Sequence, residues 1–237
     1  MADLLFPIFL YHEGMQLPDE GTFYVVAGNG IWLHKDNAIG DCFVRVEFPS
    51  FLDDFQQKEV SLKLPKIPAN LVWQIKQFFQ TVTEQHLSES EVTLYFNREK
   101  QQYKIFVPYQ VVSHSSVRYK MNSLSDDPDF DGYLCVGTIH SHCDFAAFHS
   151  GIDIGDEENF DGLHVTFGHN NKQIFSISAC VVMNAERYQI NPSSVLEGIE
   201  TKDEKANDFF EIICVPENSE ELLQEVKGWM TKVFPNV

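Results

Sequence analysis

Tyr133-Leu134-Cys135-Val136-Gly137-Thr138-Ile139-His140-Ser141-His142 runs into Cys143-Asp144-Phe145-Ala146-Ala147-Phe148-His149-Ser150-Gly151-Ile152-Asp153. The apolar lead-in from Tyr133 to Ile139 reads as a strand, and residues two apart on a strand project to the same face. His140 and His142 then stand side by side, near enough for both imidazoles to reach one metal ion. Asp153 adds a carboxylate oxygen. Two His and one carboxylate leave the fourth tetrahedral position of Zn²⁺ open for water, which is the plan of a catalytic site rather than a structural one. Ser150 lies three residues before Asp153, so a helix beginning here puts both on one face of its first turn. A His-x-His pair alone is a weak signal. The spacing of all four residues is far more restrictive.

Outward from this stretch, the chain alternates strand and helix signals. Upstream, Phe23 to Ala27, Ile31 to His34 and Cys42 to Phe48 read as strands, the first two joined by a Gly28-Asn29-Gly30 turn. His12 and His34 lie in this part without metal-ligand spacing and read as surface or packing residues. Leu71/Val72, Ile75, Phe78/Phe79 and Val82 recur at helical spacing, with Lys76, Gln77, Gln80 and Glu84 between them, and predict a helix from about 69 to 86. A polar turn at Ser88 to Ser90 feeds an apolar strand, Val92 to Phe96. Tyr103 to Val112 reads as another strand, with an edge or bulge at Pro108. Ser113 to Lys120 is extended or loop chain, and Met121 to Asp131 is a surface loop.

Downstream, Asp156-Glu157-Glu158 suits a short helix and reads as a solvated acidic cap. Gly162 to Gly168, Ile174 to Val182 and Arg187 to Ile190 are strand signals; nothing in the spacing requires His164 or His169 to approach the site. Residues 194–208 read as loop and Phe209 to Val215 as a last strand. Leu222, Val226, Trp229/Met230 and Val233 mark a C-terminal amphipathic helix. The element order implies an α/β chain of the α+β type.

Composition narrows the function classes. The chain has 237 residues, 43% hydrophobic and 22% charged, enough for a domain with a proper core plus an extension. A net charge of −18 argues against nucleic acid, which needs clustered Lys and Arg. No apolar run is long enough for a membrane span, and the N-terminus lacks the positive region of a signal peptide, so a cytoplasmic location is expected. Five cysteines without a C-x-x-C pair (Cys42, Cys135, Cys143, Cys180, Cys214) read as buried free thiols. Cys143, next along the strand from His142, faces away from both histidines.

The skeleton His-x-His, seven residues, Ser-x-x-Asp resembles the JAMM motif of the JAB/MPN zinc metalloprotease family. The likeness covers about 67–190, and the helix, strand, strand, His-x-His strand, short helix, strand, strand order is similar to that family's core. It implies a mixed, mostly antiparallel β-sheet flanked by helices, with 1–66 a β-rich N-terminal extension, 67–195 the catalytic core, and 196–237 a strand and amphipathic helix packed on it. The strand Asp161-Gly162-Leu163-His164-Val165 further resembles the bacterial Prok-JAB type encoded beside ubiquitin-like conjugation enzymes. Cys143 stands where many members carry Pro, which touches loop geometry more than chemistry.

The family motif also requires an upstream Glu. Glu13 and Glu47 precede the predicted helix; Glu89 and Glu91 follow it, and Glu91 directly begins the next strand. The resemblance therefore implies Zn²⁺ on His140, His142 and Asp153, with Glu91 rather than Glu89 as general base and Ser150 donating to the developing oxyanion. Glu89 reads as a solvated turn residue. The implied activity is a hydrolase, a zinc isopeptidase cleaving after the C-terminal glycine of a ubiquitin-like protein. The implied partners are that protein or its conjugates, and E1- and E2-like enzymes of the same pathway. The competing readings are a catalytically inert MPN scaffold or binding module, and a metal-dependent phosphoesterase or deaminase. The second of these lacks further ligands at suitable spacing.

Overall fold

A computed structural model describes residues 6–37, 40–47, 60–119, 127–202 and 208–235. The chain divides into two compact units, Met1–Lys58 and Glu59–Val237. The first carries β1 (Ile8–Leu10), β2 (Phe23–Ala27), β3 (Gly30–Asn37) and β4 (Gly40–Val46), hydrogen-bonded in that order. The β2–β3 hairpin turns at Gly30, whose φ of +135° suits glycine. His34 is buried, stacked on Phe23 and tilted against Phe43, with Nδ1 2.7 Å from the Gly21 carbonyl. His12 is exposed. Neither is a ligand by position, as their spacing suggests.

The second unit begins with α1 (Ala69–His86), followed by β5 (Ser90–Asn97), β6 (Gln102–Phe106), β7 (Gln110–Ser113), β8 (Ser116–Tyr119) and β9 (Leu134–Ser141). Then come α2 (Gly151–Glu157), β10 (Gly162–Gly168), β11 (Phe175–Met183), β12 (Glu186–Ile190), β13 (Ile199–Thr201), β14 (Phe209–Ile212), α3 (Ser219–Met230) and β15 (Val233–Pro235). The main sheet runs β13-β14-β11-β10-β9-β5-β6, with β12 paired to β11. Within it only β9 and β10 run parallel. A small second sheet, β15-β7-β8, stands beside it. The chain is of mixed α and β structure, mostly strand. Among the described residues no helix is long and apolar enough to cross a membrane.

Helix α1 forms where its apolar period predicts. Val72, Ile75, Phe78, Phe79 and Val82 are fully buried. Phe79 meets Phe167 of β10 edge to face, and Phe78 meets Trp229 of α3. The residues between the apolar stripe are not all solvated. Lys76 is buried, donating to the Asn170 carbonyl at 2.8 Å and lying over the Phe175 ring. Burial pushes its ammonium down to about 8. Gln74 is buried too, with its amide 2.7 Å from Glu225. A helix covered by a sheet, a second helix and a loop has little solvent face left, and the period of one helix cannot report that.

The structure refines further expectations. Tyr103 to Val112 is two strands, because Pro108 cannot donate to a ladder; the chain leaves the main sheet there and starts the small one. Ser113 to Lys120 contains β8, hairpin partner of β7. The stretch 194–208 contains β13, and 203–207 lie outside the described residues. Of the loop expected at 121–131, residues 121–126 also lie outside them; Pro128–Phe130 is a 3₁₀ turn. Cys42 and Cys214 are exposed rather than buried.

Candidate metal centre

The site sits where a parallel pair is crossed by a helix. Parallel strands need a long connection, and here β9 leaves the sheet, passes a loop and α2, and returns as β10. Such a crossover carries the start of its helix back over the C-terminal end of the first strand, where His140 and His142 are. Two glycines allow the approach. A Cβ on Gly137 would stand 1.9 Å from the Leu163 carbonyl oxygen, and one on Gly168 would stand 2.2 Å from the Ala147 nitrogen. The first lets β9 and β10 pair closely. The second lets the loop after His142 cross β10.

His140 and His142 are both buried, with Nε2 atoms 3.2 Å apart. Asp153 reaches them from α2, Oδ1 lying 3.6 Å from His140 Nε2 and Oδ2 3.3 Å from His142 Nε2. Ligands about 2.0–2.1 Å from a tetrahedral Zn²⁺ stand roughly 3.3–3.5 Å apart. The three separations match that geometry, so the residues fit the ion. The carboxylate is fixed by a capping box: the Ser150 backbone N–H donates to Asp153 Oδ2 at 2.6 Å, and the Asp153 N–H donates to Ser150 Oγ at 3.2 Å. Ser150 spends an oxygen lone pair there and keeps its hydroxyl hydrogen to donate. Burial alone would raise the Asp153 carboxyl, but bonds from His140 and His142 hold it well below the usual carboxylate range. Burial would lower His142, and its bond to Asp153 raises it instead.

These residues open on a cavity of about 490 Å³ whose lining includes Glu91, Tyr119, His140, Ser150, Asp153 and Glu157. Glu91 lies opposite His140 in the β5–β9 ladder. It is buried, and burial pushes its carboxyl up to about 8, against a hydrogen bond from the Tyr119 hydroxyl to Oε1. Gln110 brackets the Glu91 peptide, accepting from its N–H at 2.8 Å and donating to its carbonyl at 2.9 Å. Glu89 is half-buried rather than a solvated turn residue; burial raises it to about 7, and His142 opposes the rise. It is absent from the cavity lining.

No family model and no curated protein matches this chain. Among solved structures it is similar to protein DSY2949 from Desulfitobacterium hafniense, at 14% identity over 50% of this chain and 86% of that one, with a TM-score of 0.38. A likeness that slight leaves the site to its own geometry.

Sequence reasoning missed a second polar group beneath the cavity. Glu157 is no solvated cap: it is buried, with Oε2 2.6 Å from Arg187 Nη2 and Oε1 3.2 Å from His149 Nδ1. Arg187 Nη1 also reaches Cys180 Sγ at 2.6 Å. His164 joins from β10, its Nδ1 2.9 Å from the Thr138 hydroxyl. One signal was available. Asp153 and Glu157 are four apart, so a helix that aims Asp153 inward aims Glu157 inward too. Cys143 also departs from expectation. The strand has ended at Ser141, and Cys143 takes a left-handed φ of +48°.

Proposed function

We propose that this protein is a zinc hydrolase of the JAB/MPN type. Its substrate is a peptide or isopeptide bond after the C-terminal glycine of a ubiquitin-like protein, and it acts in the cytoplasm alongside E1- and E2-like enzymes. The observation that carries this reading is the triangle of two imidazole nitrogens and one carboxylate at tetrahedral spacing, beside a cavity that also holds a buried glutamate. His140, His142 and Asp153 would hold Zn²⁺, which when bound supplies a Lewis acid able to lower the pKa of water to about 7.

The other roles belong to the chain. Glu91, buried beside the cavity, accepts the proton of the attacking water on its carboxylate and returns it to the leaving amine. Tyr119 holds that carboxylate in place through Oε1. The Ser150 hydroxyl donates to the oxygen where negative charge develops. Ser115 through Tyr119 line one wall of the cavity, and β8 is a terminal strand of its sheet, which favours an extended substrate tail bound by strand addition. No ligand position has been lost, which argues against an inert scaffold.

Zinc content and turnover test the proposal together. Wild-type protein is expected to cleave a ubiquitin-like fusion. His140→Ala should lose one zinc per chain and all cleavage, and Glu91→Gln should keep its zinc and lose turnover. Equal zinc in wild type and His140→Ala, or full turnover by Glu91→Gln, would overturn it.

A further inference from the structure

A second set of donors of three different kinds lies on the other side of His142. His114, Cys143 and Asp144 offer an imidazole nitrogen, a thiol sulfur and a carboxylate oxygen, all within 4.8 Å of one another. None belongs to the first set. His114 Nε2 is 3.2 Å from Asp144 Oδ1, within the spacing of neighbouring ligands on a tetrahedral ion. We propose that these residues form a second site for a divalent metal of borderline softness such as Zn²⁺, and that it ties the β7–β8 turn to the loop after His142.

Two observations support a built site. Cys143 is fully buried, and its carbonyl is fixed twice by Asn170, from the backbone N–H at 2.8 Å and from Nδ2 at 3.2 Å. The backbone that carries the sulfur is therefore fixed. Phe145 packs edge-on against the His114 ring, centroids 4.9 Å apart, and orients the third donor. His114 and Asp144 are about half exposed, so an ion has access from solvent.

The third cluster of donors, His149, Glu157 and Cys180, is different. Arg187 stands against both its carboxylate and its sulfur, and a guanidinium there leaves no place for a metal cation. Among the described residues, the ion pair around His114, Cys143 and Asp144 is the His114–Asp144 one alone.

The consequence is mechanical. His114 lies in the turn between β7 and β8, and the next five residues line the cavity, ending at Tyr119 on Glu91. A metal at this turn would pin that wall to the loop after the His-x-His strand.

Cobalt titration of the full chain separates this site from the first, because only this one has a sulfur donor. Wild type should bind two Co²⁺ per chain, with a thiolate-to-cobalt charge-transfer band in the near ultraviolet. Cys143→Ser should bind one and lose the band. His140→Ala should bind one and keep it. His114→Ala, a substitution at an exposed turn, should weaken binding at the banded site by about 10-fold or more. No band in the wild type, or a band that survives Cys143→Ser, would overturn the proposal, whatever happens at the first site.

Discussion

Two clusters in this molecule use nearly the same side chains and come out differently. His140, His142 and Asp153 form one; His149, Glu157 and Cys180 form the other. The His140 and His149 rings pack edge to face between them, centroids 6.4 Å apart. Both carboxylates stand on α2, four residues apart, and both are held below their ordinary range against the effect of burial. The difference is Arg187. The second cluster contains its own permanent cation, 2.6 Å from Glu157, and is a closed network. The first has two imidazoles and the Ser150 backbone N–H facing its carboxylate but no permanent cation, and the imidazole nitrogens converge on a common point. A set of donors becomes a metal site through what the fold withholds from it as much as through what it supplies.

The largest expected effect would come from removing that cation. Arg187→Met leaves Glu157 buried without its permanent cation, facing only the His149 and His164 imidazoles, which costs about 3–5 kcal/mol. For a chain of this size that is a drop of about 10 °C in Tm. The first cluster should keep its zinc. Scanning calorimetry beside elemental analysis checks both halves. An unchanged Tm would mean that the second cluster is not held by charge, and lost zinc would mean that the clusters are one site.

The next effect sharpens the contrast from the other side. Ser150→Ala should lower kcat by about 100-fold, while the lost cap costs only about 1 kcal/mol of stability. Ser150→Thr, which keeps a hydroxyl, should recover most of the rate. Equal activity in the Ala and Thr variants would leave Ser150 as a helix cap and no more.

The smallest effect is read in pH. Burial would raise the folded-state pKa of Glu157, but His149, with smaller help from His164 and Arg187, depresses it. Its stabilisation is therefore present above the ordinary glutamate value near 4.5 and is lost as the pH falls through the lower folded one. The Tm difference between wild type and Glu157→Gln should be constant around neutrality and shrink below about pH 4. A gap that persists into acid would assign the effect to packing.

Much of this was legible in the chain. The period of α1, the alternation of β5 and the lead-in to His140 are local patterns, set by 3.6 and 2.0 residues per repeat, and they needed no partner to be read. The spacing from His140 to Asp153 was legible for the same reason. A strand end followed by a capped first turn fixes which side chains converge, and Ser150 with Asp153 is a capping box by sequence. What escaped was whatever depends on a second element. Lys76 reads as a solvated position until the loop at Asn170 closes over it. Glu157 reads as an acidic cap until Arg187 arrives from β12, thirty residues on. Tyr119 carries no sign that it holds Glu91, and His114 and Cys143 have no spacing in common.

The sequence by itself determined the longer elements of this protein and the spacing of His140, His142 and Asp153, because short-range geometry follows from backbone periodicity. The tertiary structure alone decided which buried carboxylate received a cation and which did not. That depends on strand order and on the β9–α2–β10 crossover, which bring residues far apart in the chain within hydrogen-bonding distance, where desolvation makes every unpaired charge costly.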